Sequence, residues 1–473
     1  MRHLEKTGNI NKTVVAAAVS AAEGDAALDG RQFLNHAHGQ ATPGAENGWL
    51  RAMFPRFLFL SWVVPAFALA ASVKVPEDAV IAQPFVEQAQ IVSRCPQELY
   101  AHQSSLRIVK GTGYAVYQCN EKTPEENKEG QIARLAIFDL QRPAETARWV
   151  DIAVPGESSG GITITGRFVS APMLHRLNDD TLRIFFCSRG AGDANASSRV
   201  YFKDYTISTG ALSELRQVRC TIAAQPERQR DLEEKAVQEH LDFLFGAGFG
   251  AQFAKGISTA CDFVEADGQL YSTIQIKNSE NGKTRLLTNV LMRSHDQGAT
   301  WELLGAPDPR LLPGEIKILA EPALTVDAER IYLHLRSNVA TTGYVLSKAA
   351  KADPYHFDAP VTKWTFGIGR PTLVDLGVPI GLVAMFTAPT VPTGPQTVTR
   401  NKCDVVCIDP TYTHYTKAFA VFDANAVNTP FLVRAGDDVY ATYSTGRRHL
   451  LSKFGTSEIV FGKLPRAWFG EGR

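Results

Sequence analysis

The chain has 473 residues, of which 44% are hydrophobic and 21% charged, with no net charge and a pI near 7.2. That is enough apolar material for one large all-β domain or two ordinary ones. No basic excess is present, which argues against the electrostatic footprint of a nucleic-acid-binding protein.

Residues 1–52 are rich in Ala, Gly, Asn and His and lack strand patterning, so they read as a non-structural extension. Residues 53–70 begin Met53-Phe54-Pro55-Arg56, continue through an apolar run and end Ala68-Leu69-Ala70. This is the pattern of a secretory signal, too short and Pro-broken for a stable membrane span. Export to the periplasm or the extracellular space is the expectation, with a mature N-terminus near Ala71. Peptides from residues 31–48 in protein from its native source would contradict that start. Seven cysteines permit no complete pairing. Cys403 and Cys407, with three residues between them, fit a local disulfide or two buried thiols better than a metal site. No metal and no cofactor is expected.

Residues 71–103 form a lead-in with one or two short strands. From 104 to 473 a pattern recurs: a short apolar strand, a turn on Asp or Gly, then a β-branched and aromatic strand. Ser104–Tyr117 opens it. The next units begin at Pro172, Asp262, Pro322, Pro371 and Pro430, six in all, spaced at roughly 50–90 residues. About four strands per unit is the content of a propeller blade. The expected fold is therefore all-β, a six-bladed propeller, or seven-bladed if the lead-in adds a blade. One interruption, Pro226–Phe245, places Leu232, Ala236, Leu241 and Leu244 at helical spacing between a Pro and Gly246, and predicts one helical insertion. The charged run 120–130 reads as a solvated loop.

Alignment of the units nominates a channel mouth. Gln103, Ala171, Cys261, Glu321, Arg370 and Thr429 stand before the first strands, with His102 one residue further out. Arg189, Lys277 and Arg336 stand near the ends of second strands. Guanidinium groups bind carboxylates or sulfates through paired hydrogen bonds, so Arg189, Arg336, Arg370 and Lys277 suggest an acidic sugar. Ion pairing with local carboxylates on an ordinary rim is the alternative.

Ser294, Asp296, Gly298, Thr300 and Trp301 form S-x-D-x-G-x-T-W, a turn after an apolar strand. This resembles the Asp box of the sialidase superfamily, where the motif is structural and lies away from the catalytic centre. The resemblance implies a sialidase-like exo-glycosidase. Such enzymes hold the sugar carboxylate with three Arg residues and attack with a Tyr that a Glu deprotonates, while an Asp serves as acid/base. Glu321 and Arg336 match the family's Glu and one Arg in spacing, and Tyr443 is the implied nucleophile, or else a packing aromatic. No counterpart of the acid/base Asp is found. Two other readings remain: a lyase on uronic-acid polymers that uses His102 or a Tyr with the Arg cluster, and a non-catalytic glycan-binding propeller. In each case the partner is an acidic oligo- or polysaccharide.

Overall fold

Alternating β-branched and aromatic residues, punctuated by Gly and Asp turns, fold into successive antiparallel meanders. The computed structural model describes residues 83–469 except 191–197, 255, 260, 281–282, 338–342, 365–368, 389–399, 424, 447–455 and 465. The expected extension at 1–52 and signal segment at 53–70 lie outside the described residues. Among the described residues no helix is long and apolar enough to cross a membrane.

The first unit runs Tyr100–Val109, Thr112–Asn120, Ile132–Asp139 and Arg148–Ala153, each strand paired with the next. The second is Phe168–Arg176, Thr181–Arg189 and Arg199–Thr206, edged by Ala211–Leu212 and Arg216–Gln217. In the third, the first strand is broken into Ile257–Ser258 and Val264–Ala266, which pair with Gln269–Glu280, followed by Lys283–Ser294 and Thr300–Leu303. Arg219–Ile222 and Gln225–Asp231 extend its outer edge. The fourth contains Lys317–Val326, Arg330–Ser337 and Gly343–Ala350, edged by Asp353–Phe357 and Val361–Trp364. The fifth is Thr372–Asp375, Leu382–Thr387, Lys402–Ile408 and Tyr415–Phe422. The sixth is Asn428–Ala435, Asp438–Thr445 and Glu458–Leu464, and its fourth strand is Gln90–Ile91 from the lead-in.

Side chains on the facing surfaces of neighbouring sheets make the core. Val116 and Leu135 of the first unit meet Leu174, Ile184 and Phe186 of the second. Val383 and Val405 of the fifth meet Leu432 and Ala441 of the sixth. Each fully buried Val, Leu, Ile or Phe among them contributes roughly 1.5–3 kcal/mol from its apolar area.

One expectation needs correction. The insertion is only half helical: the helix is Glu234–Phe245, while Gln225–Asp231 is a strand. Its alternating charged residues suit an exposed edge beside Arg219–Ile222, and the apolar residues at helical spacing begin only at Leu232. Gly246, at φ +102°, ends the helix where the sequence places a stop. Of the two outcomes expected for Cys403 and Cys407, the structure has unbridged thiols, and no disulfide joins any of the seven cysteines. Four residues along one strand span about 13 Å, beyond disulfide reach.

The turn at 294–301 is tightly bonded. Asp296 Oδ1 accepts from Ser294 Oγ at 2.8 Å and from the Thr300 N–H at 2.8 Å. Ser294 Oγ accepts from the Gly298 N–H at 2.8 Å, and Trp301 Nε1 donates to the Gly298 carbonyl at 2.9 Å. Gly298 sits at φ +88°, and a Cβ there would lie 2.6 Å from Phe185. Asp296→Ala should therefore cost about 1–3 kcal/mol in urea unfolding and leave turnover of the folded fraction nearly unchanged. A large rate loss at constant melting temperature would contradict a purely structural role.

Candidate active site

Four of the aligned positions share an unusual backbone. Gln103, Ala171, Glu321 and Thr429 have φ of 53°, 49°, 44° and 43°. Each lies at a register shift inside the first strand of its unit, between His102 and Ser105, Ser170 and Met173, Ala320 and Ala323, and Asn428 and Phe431. They are thus inside the strands, not before them as the sequence alignment suggests. A bulge with one residue in the left-handed region re-aims that side chain, at a local cost of about 1–3 kcal/mol.

The preceding unit braces two of these bulges. Gln118 Oε1 accepts the Ala171 N–H at 2.9 Å, and Gln275 Oε1 accepts the Glu321 N–H at 2.8 Å. Both glutamines lie in second strands. Gln275→Met should cost about 1–3 kcal/mol by orphaning that amide. If Glu321 takes part in catalysis, it should also lower kcat more than it raises KM, because it loosens Glu321 without touching the neighbouring cations. An unchanged kcat alongside a lowered melting temperature would limit Gln275 to a folding role.

Glu321 accepts from Arg336 Nη1 at 2.9 Å, with side chains 21% and 32% exposed. Burial pushes the Glu321 carboxyl up, but Arg336, then Arg400 and Arg370, hold it below the usual carboxylate value. Arg400 Nη1 donates to Asn428 Oδ1 at 3.2 Å. The Arg370 guanidinium is buried, 5.8 Å from the Phe431 ring centroid, with Nη2 3.2 Å from the Met173 sulfur. Arg189 Nε donates to the Ile257 carbonyl at 3.2 Å. Repulsion by Arg189, then burial, lowers Lys277 to about 8. Burial also holds Arg189, Arg370 and Arg400 below the ordinary arginine value. Arginine does not deprotonate in this setting, so the shifts express buried positive charge that an incoming anion would compensate.

A second carboxylate enters from the run 120–130, expected to be a solvated loop. Glu126 Oε1 accepts from Gln118 Nε2 at 3.0 Å and from Gln103 Nε2 at 3.4 Å. Its charge is felt at His102, Arg189, Lys277 and Arg400, and that of Glu321 at His102, Lys277, Arg370 and Arg400. Five cations and two carboxylates therefore share one electrostatic neighbourhood. Glu126 was not legible in the sequence: it is one of several Glu residues in a charged run. Gln118 and Gln275, spaced like the neighbouring strand residues, carried no signal either.

His102 is buried and pushed down to about 4, chiefly by burial, so it is neutral at physiological pH. Its Nδ1 lies 3.0 Å from Ser444 Oγ and 3.4 Å from Thr429 Oγ1. Ser104 Oγ donates to Thr442 Oγ1 at 2.8 Å two residues along. His102 thus belongs to a polar seam between the first and sixth units. Tyr443 does not join the site. Ser444 faces that seam, and strand alternation turns Tyr443 to the opposite face. There it is fully buried among Val383, Leu432 and Val460, and its hydroxyl donates to Asp423 Oδ2 at 3.2 Å. Tyr344 is the tyrosine coupled to Arg336, Glu321 and Arg400, and its hydroxyl donates to the Gly369 carbonyl.

The fold is sialidase-like. A mutant Trypanosoma rangeli sialidase with trans-sialidase activity superposes with TM-score 0.51 at 12% identity, covering 77% of this chain and 54% of that one. T. rangeli sialidase in complex with sialic acid gives TM-score 0.50 at 12% identity, covering 82% and 59%. A Dyadobacter fermentans protein of unknown function gives TM-score 0.54 at 10% identity, covering 80% and 98%. The chain thus spans little more than half the length of the sialidases it resembles. No family model and no curated protein matches the sequence.

Proposed function

We propose that this chain is an exported, six-bladed propeller glycosidase acting on an acidic glycan. Arg189, Lys277, Arg336, Arg370 and Arg400 receive the sugar's acid group, and Glu126 and Glu321 form the carboxylate pair. The observation that carries this reading is the convergence of those five cations and two carboxylates. Six blades are supported by the adjacency of five of the six neighbouring pairs of first strands and by the use of Gln90–Ile91 in the sixth sheet. The turn at 294–301 is read as an Asp box. The sialic acid named with the T. rangeli enzyme is one member of the substrate class the cations fit.

In the proposed chemistry Glu126 takes up a proton from solvent and passes it to the departing glycosidic oxygen. Glu321, kept ionised chiefly by Arg336, faces the positive charge that develops on the sugar ring, or takes the proton of the attacking water. No tyrosine nucleophile enters this scheme. Elimination is the second reading. It is favoured by Lys277, whose value of about 8 leaves part of the amine neutral near physiological pH, with neutral His102 nearby. Incubation with sialosides and with uronic-acid polymers tests both. New reducing ends without ultraviolet-absorbing unsaturated uronate support hydrolysis, and unsaturated product selects elimination. Binding without either product selects a glycan-binding propeller, and no binding removes the acidic-glycan reading.

A further inference from the structure

A second cleft lies at the opposite end of the strand that carries Arg336. Arg330 opens that strand, and six residues of extended chain separate the two by about 20 Å. The cleft holds about 450 Å³, within the range of small-ligand sites. Tyr332 and Tyr412 form its floor, with rings stacked 4.0 Å apart at 15°. Leu346 and Val361 add apolar surface, and Val361 is 45% exposed. Arg330, Lys348 and Lys363 supply positive charge, Asp358 one carboxylate, and Thr411 and Thr413 hydroxyl groups.

Those charges are only loosely paired within the protein: Asp358 lies near Lys348, and the Asp409 and Asp327 carboxylates are felt at Lys363 and Arg330. Lys348 lies 3.8 Å from Asp358, with side chains 42% and 62% exposed. Among the described residues neither Arg330 nor Lys363 forms a salt bridge through its side chain. Burial makes the charged form of Lys363 less favourable; the Asp409 carboxylate opposes this, and repulsion by Lys348 then adds to it. A pair of like charges over an aromatic and apolar floor is stabilised by an incoming anion, and the floor suits the C–H face of a sugar ring.

We propose that this cleft binds a sugar unit carrying a carboxylate or a sulfate, as a glycan site separate from the channel mouth. Lys348, Lys363 and Arg330 hold the acid group, the ring rests on the Tyr332 side of the floor, and Thr411, Thr413 and Asp358 meet its hydroxyls. A long acidic chain would then contact the protein on two faces.

The test uses Arg336→Ala as background, so that failure of the mouth reading does not affect it. Isothermal titration with an oligogalacturonate and with a sulfated oligosaccharide should still show one site per chain. Adding Lys348→Ala and Lys363→Ala should weaken it at least tenfold, with the melting temperature and the turnover of the two lysine variants in the wild-type chain unchanged. Equal affinity with and without the lysines, loss of all binding in Arg336→Ala alone, or equal binding of a neutral oligosaccharide would each overturn the proposal. Inorganic sulfate binding as tightly as the saccharides would also overturn it, by reducing the cleft to a small-anion site.

Discussion

Arg336→Ala should weaken binding of a carboxylated sugar at least tenfold and shift the acid limb of the pH profile upward. A charge-assisted pair of hydrogen bonds is worth roughly 1.5–3 kcal/mol, and about 1.4 kcal/mol is one decade in affinity. Arg336→Lys should recover little, because an ammonium lacks the planar fork. The pH effect follows from Glu321. Burial raises its pKa, and Arg336 is the first of the three cations that bring it below the ordinary value. Without Arg336, burial gains and the carboxyl protonates at higher pH. The sign for stability is fixed by the same shift. A depressed carboxylate contributes stability that is fully present above its unfolded value of about 4.3 and is lost as pH falls through the folded value. The wild-type lead over Arg336→Ala should therefore be largest above about pH 5 and shrink below about pH 4. Its size should be roughly 1–2 kcal/mol, less than for a fully buried pair, because the side chains are 32% and 21% exposed. Titration calorimetry with a sialoside or uronate ligand, and urea unfolding at several pH values, measure both effects. Unchanged affinity in Arg336→Ala would remove this residue from the ligand site.

Much of this geometry was legible because a repeat fold reuses one backbone. Gln103, Ala171, Glu321 and Thr429 align in sequence as the same step of their units, and all four adopt the same left-handed bulge. Glu321 and Arg336 are joined because a bulge in a first strand faces the end of the second strand of the same unit. Errors arose where one residue of parity or one loop path decides the outcome. Tyr443 and Ser444 are neighbours in a strand, and only the pairing across to His102 shows which of them faces the seam. Glu126 lies in a polar run whose composition predicts solvent, yet Gln103 and Gln118 draw it inward through side-chain hydrogen bonds. No local pattern encodes such a contact, since it joins a loop to two strands of the same sheet. The lead-in was likewise ambiguous. Two residues, Gln90 and Ile91, suffice to complete the sixth sheet, too few for periodicity to mark.

Glu126→Gln and Glu321→Gln should each lower kcat on an unactivated acidic glycoside by at least about 100-fold, the lower end of what a positioned proton-transfer group contributes. KM should change little in Glu126→Gln, because in the proposed site the cations hold the acid group and the amide keeps the size of the carboxylate. The two variants should then separate on a glycoside with a good aryl leaving group. That substrate needs no proton on its departing oxygen, so Glu126→Gln should recover most of its rate. Glu321→Gln should not, because charge on the sugar ring still develops without its carboxylate. The double variant should be little slower than the worse single one, since the two groups act in one step. Binding supplies an independent check on the alkaline side. Lys277 sits at about 8 because Arg189 repels its charge and burial disfavours it. As pH rises past about 8 the ammonium loses its proton, so KM for an acidic sugar should rise while kcat holds. Lys277→Met should abolish that rise. If instead Glu126→Gln keeps its rate on the unactivated glycoside within threefold, the loop at 120–130 only shapes the mouth, and the proton for the departing oxygen must come from another group.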